Sequence, residues 1–471
     1  VSLGAANSVA VLRGDRLLGR MQAGWYPTDV AFVDDQLYVL DGKGEGARPN
    51  PEMKNQGDTG YVAAIEFGSL RAYDTTDALR IGGDPQGSSG WNTAFTSSVV
   101  RKNGPIRHVF FVLKENRSYD EILGDMREGN GDRAINWFGA RVTPNEHAIA
   151  AQYGLYDNAY TSGEVSASGH LWSDAAFVND YSERFWPSSY DRRRTIADIN
   201  GDGASGASAG YIWDAARQAH VSFRDYGELV DPGSGPSSPW VANVPSLKSQ
   251  IDPHYAGWNL DYSDLDRAKE WRREFESYVR SGGLPQFEFI WLPNDHTYGS
   301  RVGKLAPASY IAQNDYALGQ MVDALSHSKV WPASVMFIIE DDAQDGPDHV
   351  SDQRTTLFVV SPYARPGLHS EHYATVSVLR TIEIMLGMQP LSTYDAMALP
   401  MVASFDSVPN LRPYHALAPT VSLSQRNRRA AYGAAISAAL NFSRPDAVPD
   451  HVLNDILAHN VQPGSSQVGA R

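Results

Sequence analysis

From Ile106 onward, short apolar runs alternate with longer amphipathic stretches, and this alternation constrains the fold more than any other feature. The runs are Val109–Leu113, Leu155–Asn158, Val221–Tyr226, Phe287–Leu292, Val335–Ile339 and Thr356–Val360, each of strand length. Between them the pattern predicts a helix after Thr143, then helices over Tyr211–Ala219, Leu265–Arg280, Tyr310–Leu325 and Val376–Leu386. Thr143, Pro144 and Glu146 read as a capping box with Pro at the first helical position. Strands alternating with helices predict an α/β fold, with a mostly parallel central sheet flanked by helices. Ligands of such sheets sit at the carboxyl ends of the strands.

Four of those ends carry chemistry. The first run stops at Glu115-Asn116. The second leads into "TSGEVSASGHLW", where Ser166, Ser168 and His170 form a small-residue turn before a helix, and free N–H groups at a helix start favour anions. The fourth delivers Asp295 and His296. The fifth runs into "IIEDDAQDGPDHV", which gathers Glu340, Asp341, Asp342, Asp345, Asp348 and His349. Carboxylates crowded at one edge repel, and a bound divalent cation relieves them. Each cluster alone has a plainer reading: a helix cap, a turn or a solvated loop. Together at one sheet edge they favour a metal-assisted hydrolase.

The rest of the chain sets bounds. A formal charge of −15 argues against nucleic acid as a bulk partner. The absence of Cys excludes disulfides and thiolate metal sites and suits an oxidising compartment. No apolar run approaches the ~18 residues of a membrane span. The chain begins at Val1 with no signal-like segment, as expected of a processed chain or a fragment. Residues 1–70 are β-rich, with strands expected at Val9–Leu12, Leu17–Met21, Asp29–Val33 and Gln36–Leu40 and turns at Gly14-Asp15 and Asp34-Asp35. Residues 71–104 connect to the α/β region, 105–420. Within that region 183–262 reads as an insertion over the sheet edge, with Trp186, Tyr190, Trp240 and Trp258 as lid or packing residues. "DINGDG" at Asp198–Gly203 matches half of a calcium loop, but Ala209 stands where the bidentate Glu belongs. Residues 421–471 form a C-terminal segment with helices expected over Ser424–Leu440 and Asp446–His459.

"IRHVFFVLKENRSYDEILGD", "LYDNAYTSGEVSASGHLW", "WLPNDHT", "EDDAQDGPDHV" and "SVLRTIEIMLG", in this order, resemble the bacterial phosphoesterase family of acid phosphatases and phospholipases C, within the alkaline phosphatase superfamily. The resemblance spans about residues 104–400. "GWYPTDVAFVDDQLYVLDGKGEGARPNP" is similar to the last blade of the YVTN-type propeller that precedes the esterase in one subgroup, so a truncated propeller remnant is expected.

The resemblance implies an alkaline-phosphatase-like fold and roles for individual residues. Glu115 and Asn116 match the first metal-binding pair, Ser166 the nucleophile, and Asp341 and Asp342 the second metal pair. Asp345, His296 and His170 match positions lining the phosphate or supporting the metal. His349, or Asp295 with His296, is placed to hold a second ion. The expected cofactor is one or two divalent cations, Ca²⁺, Mg²⁺ or Mn²⁺ for oxygen ligands and Zn²⁺ if histidine takes part. The implied reaction passes through a phosphoserine. Related phospholipases follow the nucleophile with a Pro-Asn-Arg type run; here Ser168-Gly169-His170 stands instead, with a titratable His for an Arg clamp. A metal-dependent phosphoesterase of mono- or diesters, a phospholipase C acting on phospholipid headgroups and a retired, non-catalytic scaffold are the three readings, and a secreted or periplasmic location goes with the first.

Overall fold

The computed structural model describes residues 1–3, 7–14, 16–45, 48–51, 65, 67–74, 97–190, 203–234, 238–343, 346–444 and 447–461. At its centre are five strands: β1 (His108–Lys114), β2 (Phe223–Tyr226), β3 (Phe287–Leu292), β4 (Ser334–Glu340) and β5 (Leu357–Val360). They lie in the order β2-β3-β1-β4-β5. The first four are parallel and β5 is antiparallel to β4. All five fall on expected strands.

Both faces of this sheet are covered, which is why its strands are apolar at successive positions. Val109, Phe111 and Leu113 of β1 point into one core, shared with Val378, Leu379 and Ile382 of helix α6 (Thr375–Leu386). Phe110 and Val112 point into the other. That second core is built by α2 (Pro144–Tyr153), α4 (Asp264–Ser281) and α5 (Pro307–Ser326). Phe110 meets Trp271 and Phe275 of α4 edge to face, each at 6.1 Å. Each such side chain contributes roughly 1.5–3 kcal/mol by leaving water. The remaining helices near the sheet edge are α1 (Tyr119–Leu123) and α3 (Ser166–Ala175).

Several expectations are corrected. Leu155–Asn158 is not a strand of the central sheet; Leu155–Tyr156 and Ala159–Tyr160 pair in two small parallel ladders with Leu368–His369 and Tyr373–Ala374. The stretch is too polar for a doubly covered strand. Thr143 does cap α2, with Pro144 first, but no capping box forms. The Thr143 hydroxyl donates instead to Phe138 O (2.6 Å), and Glu146 is claimed by Lys114. Ser424–Leu440 is helical only over Ala434–Ala439. The preceding stretch is mostly exposed and irregular, with a bridge from Arg426 to Leu305. The last expected helix is Asp450–Val461.

The four N-terminal strands are present, and Ser2–Leu3 and Ser69–Asp74 add two outside them. They form two antiparallel sheets of three strands each. A propeller blade has four strands, and the described residues show no propeller. Asp34-Asp35 turns the chain between two of the strands, as expected, while Asp15 of the other turn lies outside the described residues. So does most of the calcium-loop-like "DINGDG". The N-terminal part is tied to the rest: Lys43 pairs with Glu164, and Asn50 and Asp348 exchange hydrogen bonds of 2.9 Å. Among the described residues, no helix is long and apolar enough to cross a membrane.

Lys114, the last residue of β1, is buried among carboxylates of three other elements. Its ammonium lies 2.5 Å from Glu146 of α2, 2.7 Å from Glu340 of β4 and 3.2 Å from Asp295 after β3. Burial alone would discharge it, but the three carboxylates hold its pKa well above the ordinary lysine value. Replacing it leaves those acids buried without their counter-ion. Lys114→Met is therefore expected to lower the unfolding free energy by about 3–5 kcal/mol in urea titrations at pH 7; an unchanged midpoint and slope would show that the cage is not needed for stability.

Candidate active site

Strand register brings the first and fifth strand ends together. Lys114 is aligned with Leu292 of β3 and Glu340 of β4. Glu115 and Asp341 therefore leave the sheet side by side, and Asp341 N donates to Lys114 O at 3.1 Å. Glu115 N in turn donates to Asp295 Oδ1 at 3.0 Å. The next residue, Asn116, has a φ of 69°, in the left-handed region that Asn tolerates better than most residues. That turn aims its side chain along the sheet edge. The Asn116 amide donates to Ser166 Oγ and to Asp342 Oδ1, both at 2.6 Å. Ser166 Oγ donates to Asp342 Oδ2 at 3.0 Å. These three polar groups, 50 and 176 residues apart along the chain, close one triangle.

Ser166 is the first residue of α3. The helix comes close because Gly169 lacks a side chain: a Cβ there would sit 2.2 Å from Asp341 O. One residue on, His170 reaches Glu115 Oε1 (3.1 Å), Asp341 Oδ2 (3.6 Å) and, through its other nitrogen, Glu228 Oε1 (3.0 Å). Burial pushes the His170 pKa down, but these carboxylates outweigh it and hold it well above the ordinary value. The imidazole is thus a cation at neutral pH, donating from both nitrogens.

Asp341 carries the opposite strain. It is fully buried, and neither carboxylate oxygen accepts a hydrogen bond. Burial first, then the Glu115 and Asp342 charges, raise its pKa well above the ordinary value. Asn116 Oδ1 is buried with no hydrogen bond as well. Ligand atoms of Glu115, His170 and Asp341 lie within 4.8 Å of one another. The Asp341 carboxylate, the Asn116 amide oxygen and the Ser166 hydroxyl at this sheet edge are oxygen donors of the kind a hard divalent cation takes. Glu115, Asn116, Ser166, Asp341 and Asp342 are the residues that would hold it.

The other expected residues sit elsewhere or act differently. Asp295 is taken up by Lys114 and the Glu115 backbone. His296 is buried, and burial pushes its pKa down to about 4. Its Nδ1 donates to Thr297 O (3.1 Å), so the neutral ring presents a lone pair at Nε2. Thr297, with φ 70° and ψ 168°, occupies a backbone region otherwise reserved for Gly. Arg117 holds this strained turn by donating to Asp295 O (2.6 Å) and His296 O (3.3 Å). His349 is not brought to Ser166's hydrogen bonds; it contacts Asp120 (2.6 Å) and Asn130 (3.2 Å). Asp120 and Asp348 beside it both pair with buried Arg354, at 3.0 and 2.9 Å. Asp345 lies outside the described residues.

Of the aromatic candidates, Trp258 stacks on Trp291 (5.9 Å), and this pair meets His170 and His296 edge to face, each at 5.0 Å. The Tyr190 hydroxyl accepts from Ala167 N (3.1 Å), and Trp186 packs on Val165, so both lie beside Ser166 in the chain. Trp240 is half-buried against the core. Three residues escaped the sequence reading: Lys114, Arg117 and Glu228. Lys114 was signalled by a charge ending an apolar strand. Glu228 was signalled by its place just past β2, the one strand end on this edge not singled out.

The residue pattern of the phosphoesterase family matches residues 129–389, more than half the chain. That span includes Ser166, His170, His296, Asp341 and Asp342, while Glu115 and Asn116 precede it. Among curated proteins none matches. Solved structures give loose likenesses. A protein of the alkaline phosphatase superfamily from Vibrio parahaemolyticus is 13% identical with a TM-score of 0.45, over 67% of this chain and 76% of that one. The phosphonate monoester hydrolase of Agrobacterium radiobacter is 12% identical with a TM-score of 0.38, over 60% and 74%. The lipoteichoic acid synthase LtaP from Listeria monocytogenes is 11% identical with a TM-score of 0.39, over 64% and 76%. At that level they bear on neither substrate nor mechanism. The family match, centred on the sheet edge just described, places this chain in the phosphoesterase family, as a hydrolase of phosphoric esters.

Proposed function

We propose that the protein is a metal-dependent phosphoesterase in which Ser166 is the nucleophile and a phosphoserine the intermediate. The observation that carries this reading is the Ser166–Asn116–Asp342 triangle beside the unpartnered Asp341 carboxylate. When bound, a divalent cation at these residues supplies Lewis-acid stabilisation of phosphoryl charge and favours the alkoxide form of serine.

The chain's own residues do the rest. Asp342 Oδ2 already accepts the Ser166 proton at 3.0 Å and takes it as Oγ attacks phosphorus. The Asn116 amide, 2.6 Å from Oγ, donates to the phosphoryl oxygens as charge grows on them. The ester P–O bond breaks, and the leaving oxygen receives a proton from the His170 imidazolium. In the second half, water gives its proton to His170 and its oxygen to phosphorus, and Ser166 Oγ leaves with the proton held by Asp342. Both groups end as they began. His296, neutral and turned by Thr297, is not the proton donor here; its Nε2 lone pair suits an accepting role.

Three outcomes are expected. Ser166→Ala loses at least about 10³-fold of turnover of p-nitrophenyl phosphate yet keeps its fold by circular dichroism; near-wild-type turnover removes Ser166 as nucleophile. His170→Gln slows an alkyl phosphate about 10²–10⁴-fold but p-nitrophenyl phosphate far less, because p-nitrophenolate leaves without a proton. A folded-state pKa above the ordinary value keeps His170 protonated, so alkyl-ester turnover in the wild type falls as pH rises through that pKa, and this limb is missing in the variant; equal losses on both esters would rule out the acid role. Finally, a hundredfold excess of divalent cation over Kd stabilises chelator-treated wild type by about 2.7 kcal/mol. Asp341→Asn should show no such gain in thermal scans, and an equal gain would move the cation elsewhere.

A further inference from the structure

Away from Ser166, two histidines and a carboxylate meet at the surface. Helix α5 ends at Ser326, and His327 caps it just before the chain enters β4 at Ser334. The cap therefore lies toward the amino edge of the sheet, opposite the edge that carries Ser166. Asp323 is one turn back on the same helix, at the i,i+4 spacing that puts it beside His327. His415 comes from 409–419, a stretch with no regular secondary structure. A ligand atom from each of Asp323, His327 and His415 lies within 4.8 Å of the other two.

The backbone fixes these side chains in place. Tyr414 is buried; its N–H donates to Ser326 Oγ (2.9 Å) and its hydroxyl to Asn145 Oδ1 (2.8 Å). Leu417 N donates to the same Asn145 oxygen (2.8 Å), and the Asn145 amide donates back to Leu417 O (2.8 Å). Ala416 N donates to Asp323 Oδ2 at 2.9 Å. The chain on both sides of His415 is thus tied to α5 and α2, so little ordering remains to oppose a ligand. His327 Nδ1 lies 2.9 Å from Asp323 O. A carbonyl only accepts, so Nδ1 carries the hydrogen and Nε2 keeps the lone pair that a metal takes. The two rings stand 4.8 Å apart, centroid to centroid, and both residues are exposed and open to an incoming ion.

The donor set selects the ion. Imidazole suits Zn²⁺, Cu²⁺ and Ni²⁺, whereas Ca²⁺ and Mg²⁺ take oxygen. Three protein ligands leave one tetrahedral position to water. Bonds of about 2.0–2.1 Å put tetrahedral donors about 3.3 Å apart, so the exposed side chains need to close by at most about 1.5 Å. The cluster of Asp120, Asp348 and His349 is equally compact, but the Arg354 guanidinium lies against both of its carboxylates and repels a cation. Asp323 has no such rival: among the described residues its ion pair is with His327 itself, at 3.2 Å.

We propose that Asp323, His327 and His415 form a zinc-type site, separate from the one at Ser166, which clips the 409–419 stretch to the end of α5. It stands whether or not Ser166 is the nucleophile.

The full chain, treated with chelator, is dialysed to equilibrium against Zn²⁺ with Mg²⁺ in large excess, as wild type, His327→Ala and His415→Ala, and bound zinc is counted per chain. Wild type should hold one zinc more than either variant, whatever the Ser166 site takes up, and the Mg²⁺ should not remove it. Zinc should also slow hydrogen exchange at Ala416 and Leu417 more in wild type than in the variants. Equal zinc in all three proteins overturns the proposal, as does an extra zinc that Mg²⁺ displaces. An extra zinc with no added protection of Ala416 and Leu417 overturns the clip. Both histidines are exposed, so their removal should leave the fold intact by circular dichroism; if one variant misfolds, the other still gives the answer.

Discussion

One buried ammonium holds the reactive edge of this protein together. Lys114 ends the central strand, and its three carboxylate partners come from α2, from β4 and from the turn after β3. Three site residues follow directly along the chain. Glu115 follows Lys114 directly, Asp341 follows Glu340, and His296 follows Asp295. Fixing the partners at 2.5–3.2 Å fixes the relative height of three strand ends. Without that anchor, a one-residue slip of β1 would send Glu115 and Asn116 to the wrong faces of the sheet.

The anchored edge is then used to hold charge that the fold alone does not satisfy. Lys114 pairs with the acids beneath the site, whereas the carboxylate of Asp341 above them accepts no hydrogen bond. His170 is the one cationic side chain seen to approach it, at 3.6 Å, and is shared with Glu115 and Glu228. Buried acids with raised pKa values cost stability above the ordinary carboxylate range, since the unfolded chain ionises them freely. A bound cation reverses the sign of that cost. Backbone strain gathers at the same place, at Asn116 and Thr297. Such outliers persist where surrounding contacts over-determine them, as Arg117 does for the turn at His296.

Much of this was legible from residues alone, for a physical reason. A strand buried on both faces must be apolar throughout, so "VFFVL", "FEFIWL" and "VMFII" announced β1, β3 and β4, and the polar residues at their ends stood out by contrast. Leu155–Asn158 misled because it lies at the expected spacing but is polar, and a polar stretch cannot sit in that sheet. The capping box at Thr143 misled because its Glu had a stronger claim: a buried ammonium outcompetes a backbone N–H. Lys114 itself went unread, because one charge at a strand end looks like a solvated terminus until the register brings three acids around it.

The central claim is that Ser166 itself accepts the phosphoryl group, and rapid-quench mass spectrometry tests it most directly. Metal-loaded enzyme is mixed with excess p-nitrophenyl phosphate, quenched in acid within the first turnover and digested. The account predicts one phosphoryl group, on the peptide containing Ser166 and on that side chain, formed at a rate no slower than turnover. An enzyme that turns over with no phosphorylated peptide, or with the group on another residue, would contradict it.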